Sequence, residues 1–273
     1  MTSLSADSPM RAPGASRLLA RAGAFWFVTA FAGQILFAVY VFFNYGLSAL
    51  QGKTASWNET LFNGLISGDR LGNALLAAHL FLAFLITLSG PLQLVPAIRN
   101  RARAFHRWNG RAYILIALVI SAGAILLQAL RPAFGGLTNQ ILQAINGGVI
   151  FACALLAWQA ARDRRFASHR RWATRLFLAA SGVWFLRVMM MAWAIPTGGA
   201  GLGEELDGPA GRAAMLGQTL IPLGVYQLYL WAEESRSALA KYATAALVSL
   251  LTLLMLGGIL GATLVMWLPR ILG

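Results

Sequence analysis

Long apolar stretches separated by short polar connections make up most of the chain. Each stretch is about 20 residues long or longer, the length that an α-helix needs to cross the hydrocarbon core of a bilayer. Polar residues do not alternate with apolar ones along the stretches, so the pattern predicts helices and not the strands of a β-barrel. We predict seven membrane-spanning helices, at Ala22–Phe43, Asn73–Val95, Ala112–Leu130, Ile141–Ala161, Leu176–Ile195, Ala213–Trp231 and Tyr242–Leu268.

The predicted fold class is therefore all-α, a polytopic integral membrane protein with a four-helix core formed by spans two to five. Residues 1–21 are polar and predict a cytoplasmic N-terminal tail, and residues 22–270 predict a single seven-helix membrane domain. Composition agrees with this class, because 58% of the residues are hydrophobic and only 11% are charged. Such a chain has too few polar side chains to cover a soluble globular surface.

The formal net charge is +13, and its distribution indicates membrane topology. Basic residues crowd the second and fourth connections, around Arg101 and Arg165, whereas acids such as Glu59 and Glu204 lie in the alternate connections. By the positive-inside rule, this bias predicts a cytoplasmic N-terminus and an extracytoplasmic C-terminus. Topology and contact with anionic lipid account for the charge, so we expect the lipid bilayer as a partner and no nucleic acid.

Two segments repeat one pattern, HRWNGRAY at His106–Tyr113 and HRRWATRLF at His169–Phe177. They contain two of the three histidines in the chain. Each segment lies just ahead of a different predicted span, and both lie on the predicted cytoplasmic side. The pattern predicts a site that spans three and five share through His106 and His169.

Two imidazoles on separate helices suit the axial ligation of a haem iron, with haem b as the cofactor. The alternatives are that His106 and His169 contact lipid phosphate or cap a helix end. His79 lies about 9 Å below the outer surface in span two, far from the other two. A metal site with three histidines is therefore not expected, because all ligands must lie within about 2 Å of the ion.

A second site is predicted in the outer half of the membrane. Arg187 lies about 18 Å along span five from Arg175, and none of the predicted spans contains a carboxylate to balance it. We predict that His79 and Arg187 approach each other at a matched depth and bind an anionic or carbonyl-bearing ligand, such as a quinone, a lipid head group or a haem propionate. The candidate cavity side chains are the amides Gln34, Gln128, Gln143, Asn146 and Gln218. The alternative for these amides is hydrogen bonding between helices that holds the bundle together.

An ordered set of residues in spans two to five resembles the domain-of-unknown-function 2306 family of bacterial membrane proteins. The set comprises His79, Gly90-Pro91-x-Gln93, the two His-Arg segments that begin at His106 and His169, and Arg187. The resemblance implies a protein of the bacterial inner membrane, and the family carries no established biochemical activity.

A more distant similarity is to transmembrane b-type cytochromes of the ascorbate-reducible kind. Their four-helix core holds two haems between alternate helices, which implies that His106 and His169 ligate one haem here. His79 lies on the first core helix, but the third core helix offers only Gln143 and Asn146 at that depth. The resemblance thus implies that one haem is retained and the outer haem is lost or altered.

Two functions follow from the sequence and stay open at this point. The first is a haem-bearing electron carrier or reductase. The second is a non-haem membrane protein that binds a lipid, a quinone or another small molecule, or that serves as a structural subunit. No catalytic residues are predicted, because the sequence shows no nucleotide-binding loop, hydrolase triad or carboxylate pair.

Overall fold

A computed structural model describes residues 13–61, 64–131 and 134–272. The regular structure in these ranges is entirely helical, which confirms the all-α class. Residues 1–12 of the predicted tail lie outside the described residues, whereas residues 13–21 of that tail belong to the first helix. The α-helices are α1 (Pro13–Val41), α2 (Ser48–Leu50), α3 (Arg70–Leu94), α4 (Pro96–Arg101), α5 (Arg103–Leu130), α6 (Gly136–Arg162), α7 (Phe166–Ala180), α8 (Gly182–Thr197), α9 (Pro209–Glu234), α10 (Ala238–Gly261) and α11 (Leu268–Leu272).

Five helical segments of the described chain are long and apolar enough to cross a membrane. They are Pro13–Leu50, Arg70–Leu94, Arg103–Leu130, Gly136–Arg162 and Ala238–Leu272. The first and last of them are continuous because π-helical segments, Phe42–Leu47 and Ala262–Trp267, join α1 to α2 and α10 to α11. These five segments contain the predicted spans one, two, three, four and seven almost completely.

The predicted span at Leu176–Ile195 is not one straight helix. It is divided into α7 and α8, whose axes are bent by 55° at Ser181. The Ser181 hydroxyl donates a hydrogen bond to the Phe177 carbonyl at 2.8 Å, and Gly182 follows it directly. A serine–glycine pair is a common cause of a sharp helix kink, because the serine hydroxyl competes for backbone carbonyls and glycine favours the helix weakly. If the bent pair is one span, six spans are present in the described chain.

The predicted span at Ala213–Trp231 lies within α9, which is 26 residues long. This helix is not among the segments that are apolar enough to cross a membrane. The amides of Gln218 and Gln227 and the internal Pro222 lower its hydropathy. The count of seven spans therefore stays a prediction.

The helices form two groups. In the four-helix group, α3 packs on α5, α5 on α6, and α6 on α7, around a core that includes Ile86, Tyr113, Ala117 and Leu176. This group corresponds to the predicted four-helix core of spans two to five, with α7 as only half of its fourth member.

The second group is formed by α1, α8, α9 and α10, with α10 packed on both α1 and α8. Its core contains Phe37, Trp184, Val188 and Ile259. A Cβ atom at Gly258 would lie 2.3 Å from the Val188 carbonyl oxygen, so the backbones of α8 and α10 approach closely only because residue 258 is glycine. Such small residues are the usual means of tight helix packing within a bilayer.

Candidate functional site

His106 and His169 both lie in the first turn of a helix. The amide of His106 donates to the Ala102 carbonyl at 3.0 Å, and the amide of His169 donates to the Arg165 carbonyl at 2.9 Å. Helices α5 and α7 both pack on α6, so the two histidines lie at the same end of the four-helix group. We call this end of the bundle the basic end, defined by Arg99, Arg101, Arg103, Arg107, Arg162, Arg165, Arg170 and Arg171.

The His169 ring is held by a neighbouring helix. Its Nδ1 lies 2.9 Å from the carbonyl oxygen of Ala157 on α6. A carbonyl oxygen only accepts, so Nδ1 donates the proton and Nε2 keeps its lone pair. Histidines that bind metals usually have this arrangement, because the second hydrogen bond fixes the ring and its tautomer. His169 alone is therefore oriented as an iron ligand would be.

The His106 ring has the opposite tautomer. In the amide orientation that satisfies all its neighbours, Gln93 Nε2 donates to His106 Nδ1 at 3.1 Å, and Gln93 Oε1 accepts from the Gly110 amide at 3.2 Å and from the Asn109 side chain. Asn109 Nδ2 also donates to the Ser89 carbonyl at 3.2 Å. Because His106 Nδ1 accepts, the proton lies on Nε2, the atom that would have to bind an iron. The contacts join the Gly-Pro-x-Gln segment of α3 to the first His-Arg segment of α5.

The centre of the four-helix group is filled about 10 Å inward from the two histidines. Tyr113 and Phe177 are 5% and 2% exposed. A Cβ atom at Gly90 would lie 3.0 Å from Tyr113 Cε2 and 3.1 Å from Phe177 Cδ2, so three helices meet in close contact at this level. His169 is oriented as an iron ligand would be, whereas in this amide orientation His106 Nε2 carries the proton, and haem ligation by the two histidines stays a prediction.

His79 lies on α3, on the same face as Ile86 and Gly90 by helical spacing, and so belongs to the four-helix group. Its Nδ1 is buried and has no hydrogen-bond partner. Arg187 lies on α8 in the other group, with its Cζ 5.4 Å from the centre of the Phe37 ring of α1. Its Nη1 lies 3.4 Å from the Val183 carbonyl, a long hydrogen bond, and none of the ion pairs among the described residues includes it. The shared site of His79 and Arg187 stays a prediction.

Three of the five candidate amides meet at the break between α7 and α8. Gln34 Nε2 donates to Ser181 Oγ at 2.8 Å. A Cβ atom at Gly182 would lie 3.0 Å from Asn146 Nδ2 and 3.4 Å from Gln218 Oε1, so the glycine lets both amides approach the break. These contacts agree with the alternative in which the amides join helices together.

The other two amides are Gln128 and Gln143. The Gln128 backbone carbonyl accepts from Gln140 Nε2 at 2.6 Å, which joins α5 to α6. Gln143 is half-buried on α6. The cavity lined by all five amides stays a prediction.

A groove of about 800 Å³ is lined by residues of α1, α3, α4, α7, α8, α9 and α10, and we call it the apolar groove. Its lining includes Ala24, Phe27, Phe185, Met189, Val225 and Met255. None of the nine sequence-predicted site residues lines it. The sequence signal that could have indicated it is weak: small residues at Ala20, Gly23 and Ala24 on α1, and Pro222 in α9, all of which line the groove.

Helices long and apolar enough to cross a bilayer, joined by short polar connections, define a multi-pass helical membrane protein. Residues 76–203 match the family described as predicted membrane protein, DUF2306, which confirms the resemblance seen in the sequence. The match includes both His-Arg segments, His79 and Arg187, whereas much of the apolar groove, on α1, α9 and α10, lies outside it. No curated protein and no solved structure matches the chain.

Proposed function

We propose that this protein binds a lipid-like molecule, with a long hydrocarbon or isoprenoid chain, in the apolar groove. The observation that carries this proposal is the groove itself, whose volume of about 800 Å³ lies in the range of cavities that hold small molecules. Phospholipids and membrane quinones both have such chains.

The chemistry of the walls decides the class of ligand. The lining residues are almost all apolar, and the side chains among them that carry a polar group are those of Thr174, Tyr226, Tyr229, Trp26 and Trp193. A charged or strongly polar solute would lose its hydration there without gaining enough hydrogen bonds in return. A hydrocarbon chain has no hydrogen bonds with water to give up, and it gains dispersion contacts with the aromatic rings.

The extent of the walls also suits a chain. Along α9 the lining runs from Ile221 to Tyr229, about 12 Å of helix. On α1 it runs from Ala20 to Phe27, and on α8 from Phe185 to Trp193. The groove is therefore elongated along several helices and not confined to one level of the bundle.

The test fills the groove and measures the lipid or quinone that co-purifies with the protein. Ala24→Trp places an indole in the groove, and Ala32→Trp is the matched control, because Ala32 is exposed on the same helix and does not line the groove. Both variants and the parent chain are purified in the same detergent, and bound lipids are extracted and quantified by mass spectrometry. We expect one or more species to be depleted severalfold in Ala24→Trp only. Equal retention in the parent chain and Ala24→Trp would overturn the proposal.

Haem ligation by His106 and His169 is the second candidate function. It is favoured by the hydrogen bond from His169 Nδ1 to Ala157, which leaves Nε2 available. A bound haem would supply reversible one-electron transfer. The absorption spectrum of protein purified from haem-replete cells tests it: a Soret band that shifts on dithionite reduction and disappears in His169→Ala supports haem, and a colourless protein excludes it.

A further inference from the structure

We propose that the ligand of the apolar groove is an anionic phospholipid whose phosphate binds Arg175, at the end of the groove nearest the basic end of the bundle. This inference rests on the proposed function, because it names the head group of a ligand whose chain the groove would hold. Arg175 directly follows the groove-lining residue Thr174, and its guanidinium lies against the groove-lining Tyr226, with Cζ 5.7 Å from the ring centre.

Neighbouring side chains hold the Arg175 guanidinium in place. Its Cζ lies 4.8 Å from the centre of the Trp172 ring, one turn earlier on α7. Its Nη2 donates to Gln227 Oε1 on α9 at 2.7 Å. The contacts fix the group between two aromatic rings and use only part of its five donors, so the remaining N–H groups are available to a ligand. A guanidinium fixed in this way loses little entropy when it binds a phosphate in the bidentate geometry that both groups favour.

The charge of Arg175 is not balanced by a carboxylate. The ion pairs of the described residues include Arg171 with Glu234, but none includes Arg175. Glu234 on α9 is thus already engaged by Arg171. Glu233 lies one turn after the groove-lining Tyr229 on α9, and it is the acid that a bound phosphate would have to avoid.

A second arginine lies at the same end of the groove. Arg17, Ala20 and Ala24 share one face of α1 by helical spacing, and the latter two line the groove. Arg17 Nε donates to the Pro13 carbonyl at 3.2 Å, and its side chain is exposed and belongs to none of the ion pairs in the described chain. Arg17 and Arg175 therefore provide two positive charges against the single charge of Glu233, which favours an anionic head group over a zwitterionic or neutral one.

The test compares two phospholipids that differ only in the head group. The full chain is delipidated in detergent and titrated with dioleoyl phosphatidylglycerol or dioleoyl phosphatidylcholine, and binding is followed by native mass spectrometry. We expect phosphatidylglycerol to bind at least about fivefold more tightly at low salt, the effect of roughly one basic residue near a lipid head group. Raising the salt concentration should reduce this preference in the unmodified protein, which provides a measurement that needs no variant.

Arg175→Gln should abolish the preference for phosphatidylglycerol and leave phosphatidylcholine binding unchanged. The matched control is Arg170→Gln, which removes the same charge from an exposed position of α7, about 140° around the helix from Arg175. An unchanged preference in Arg175→Gln, an equal loss in both variants, or an absence of preference in the parent chain would each overturn the head-group assignment. If neither lipid binds and a membrane quinone does, the groove proposal holds and this inference fails. If no chain-bearing molecule binds, both fail.

Discussion

Arg131 and Asp69 form an ion pair at the end of the bundle opposite the basic end, with Arg131 Nε 3.0 Å from Asp69 Oδ2. The Arg131 side chain is only 4% exposed. Its Nη1 donates to the Gly64 carbonyl at 2.7 Å, and its Nη2 donates to Asn73 Oδ1 at 2.6 Å. One guanidinium thus joins the end of α5 to the connection before α3 and to the first turn of α3.

We predict that Arg131→Lys destabilises the fold. An ammonium group cannot reach three acceptors in the planar arrangement of the guanidinium, and losing one or two of these hydrogen bonds should lower the free energy of unfolding by about 2 kcal/mol. The measurement is the thermal unfolding midpoint of the purified protein in detergent. The control is Arg165→Lys, whose partner Asp163 is exposed, and there the change should be less than about 0.5 kcal/mol. Equal midpoints for both variants would contradict the prediction.

Stability should also depend on the ionisation of Asp69. The hydrogen bond from the Gly72 amide, together with Arg131, lowers the pKa of this carboxyl below its usual value of 3.8. A depressed pKa means that the folded state favours the carboxylate, so the stabilisation is fully present above pH 3.8 and is lost as the pH falls through the lower, folded-state pKa. We expect Asp69→Asn to be less stable than the parent chain at neutral pH, and the difference to shrink only below about pH 4. A difference that is constant from pH 7 to pH 3 would exclude this linkage.

A third prediction concerns the contact of three helices at Gly90. A Cβ atom there would lie 3.0 Å from Tyr113 and 3.1 Å from Phe177, so Gly90→Ala should destabilise the protein by about 1–3 kcal/mol through overpacking. Gly123→Ala on α5 is the control, because no atom lies within 4 Å of a Cβ placed there. Removing a helix-interior glycine at that open position should stabilise the protein by up to about 1 kcal/mol. Thermal unfolding midpoints should therefore move in opposite directions, and a shift of the same sign in both would show that the Gly90 contact is not tight.

The hydrogen bonds between Gln93 and His106 predict energetic coupling. Gln93→Ala and His106→Ala should each destabilise the protein, but the double variant should lose about 0.5–1.5 kcal/mol less than the sum, because both remove the same contact. Gln93→Ala and Thr252→Ala provide the control pair, since Thr252 lies on α10 and donates to the Val248 carbonyl within its own helix. Additive effects in the first pair would contradict the contact.

The orientation of the chain in the membrane gives a fifth prediction. Reporter fusions after Arg103 and after Arg165 should both report the cytoplasm, because basic connections are retained on that side. An extracytoplasmic signal from either fusion would contradict the topology predicted from the alternation of basic residues.

Much of the fold could be predicted from the sequence, because the helices of a membrane protein are determined by local composition. Long apolar segments have no other way to satisfy their backbone in lipid. The placement of His106 and His169 at one end of the bundle was also predictable, since both lie at helix starts that the basic residues assign to one side. The break at Ser181 was not, because its amide partner Gln34 lies 147 residues earlier in the chain and hydropathy averaged over a span does not register it.

The apolar groove was beyond sequence reasoning for a related reason. Its lining comes from α1, α3, α4, α7, α8, α9 and α10, and most of its individual residues are ordinary apolar ones. Only the 55° bend and the packing of the second helix group bring them around one volume. Arg187 shows the opposite case, since its unusual position was evident from the sequence but its neighbour Phe37 was not.

The bend at Ser181 also separates the helices that can pack together early in synthesis from those that must wait for later parts of the chain. The helices α3 to α7 are consecutive in the chain and pack on one another, so this half can assemble as soon as α7 has left the ribosome. By contrast, α8 packs on α9 and α10, and α1 packs chiefly on α10. Helix α1 therefore waits for α10 before it meets its main neighbour, and the groove between them closes last.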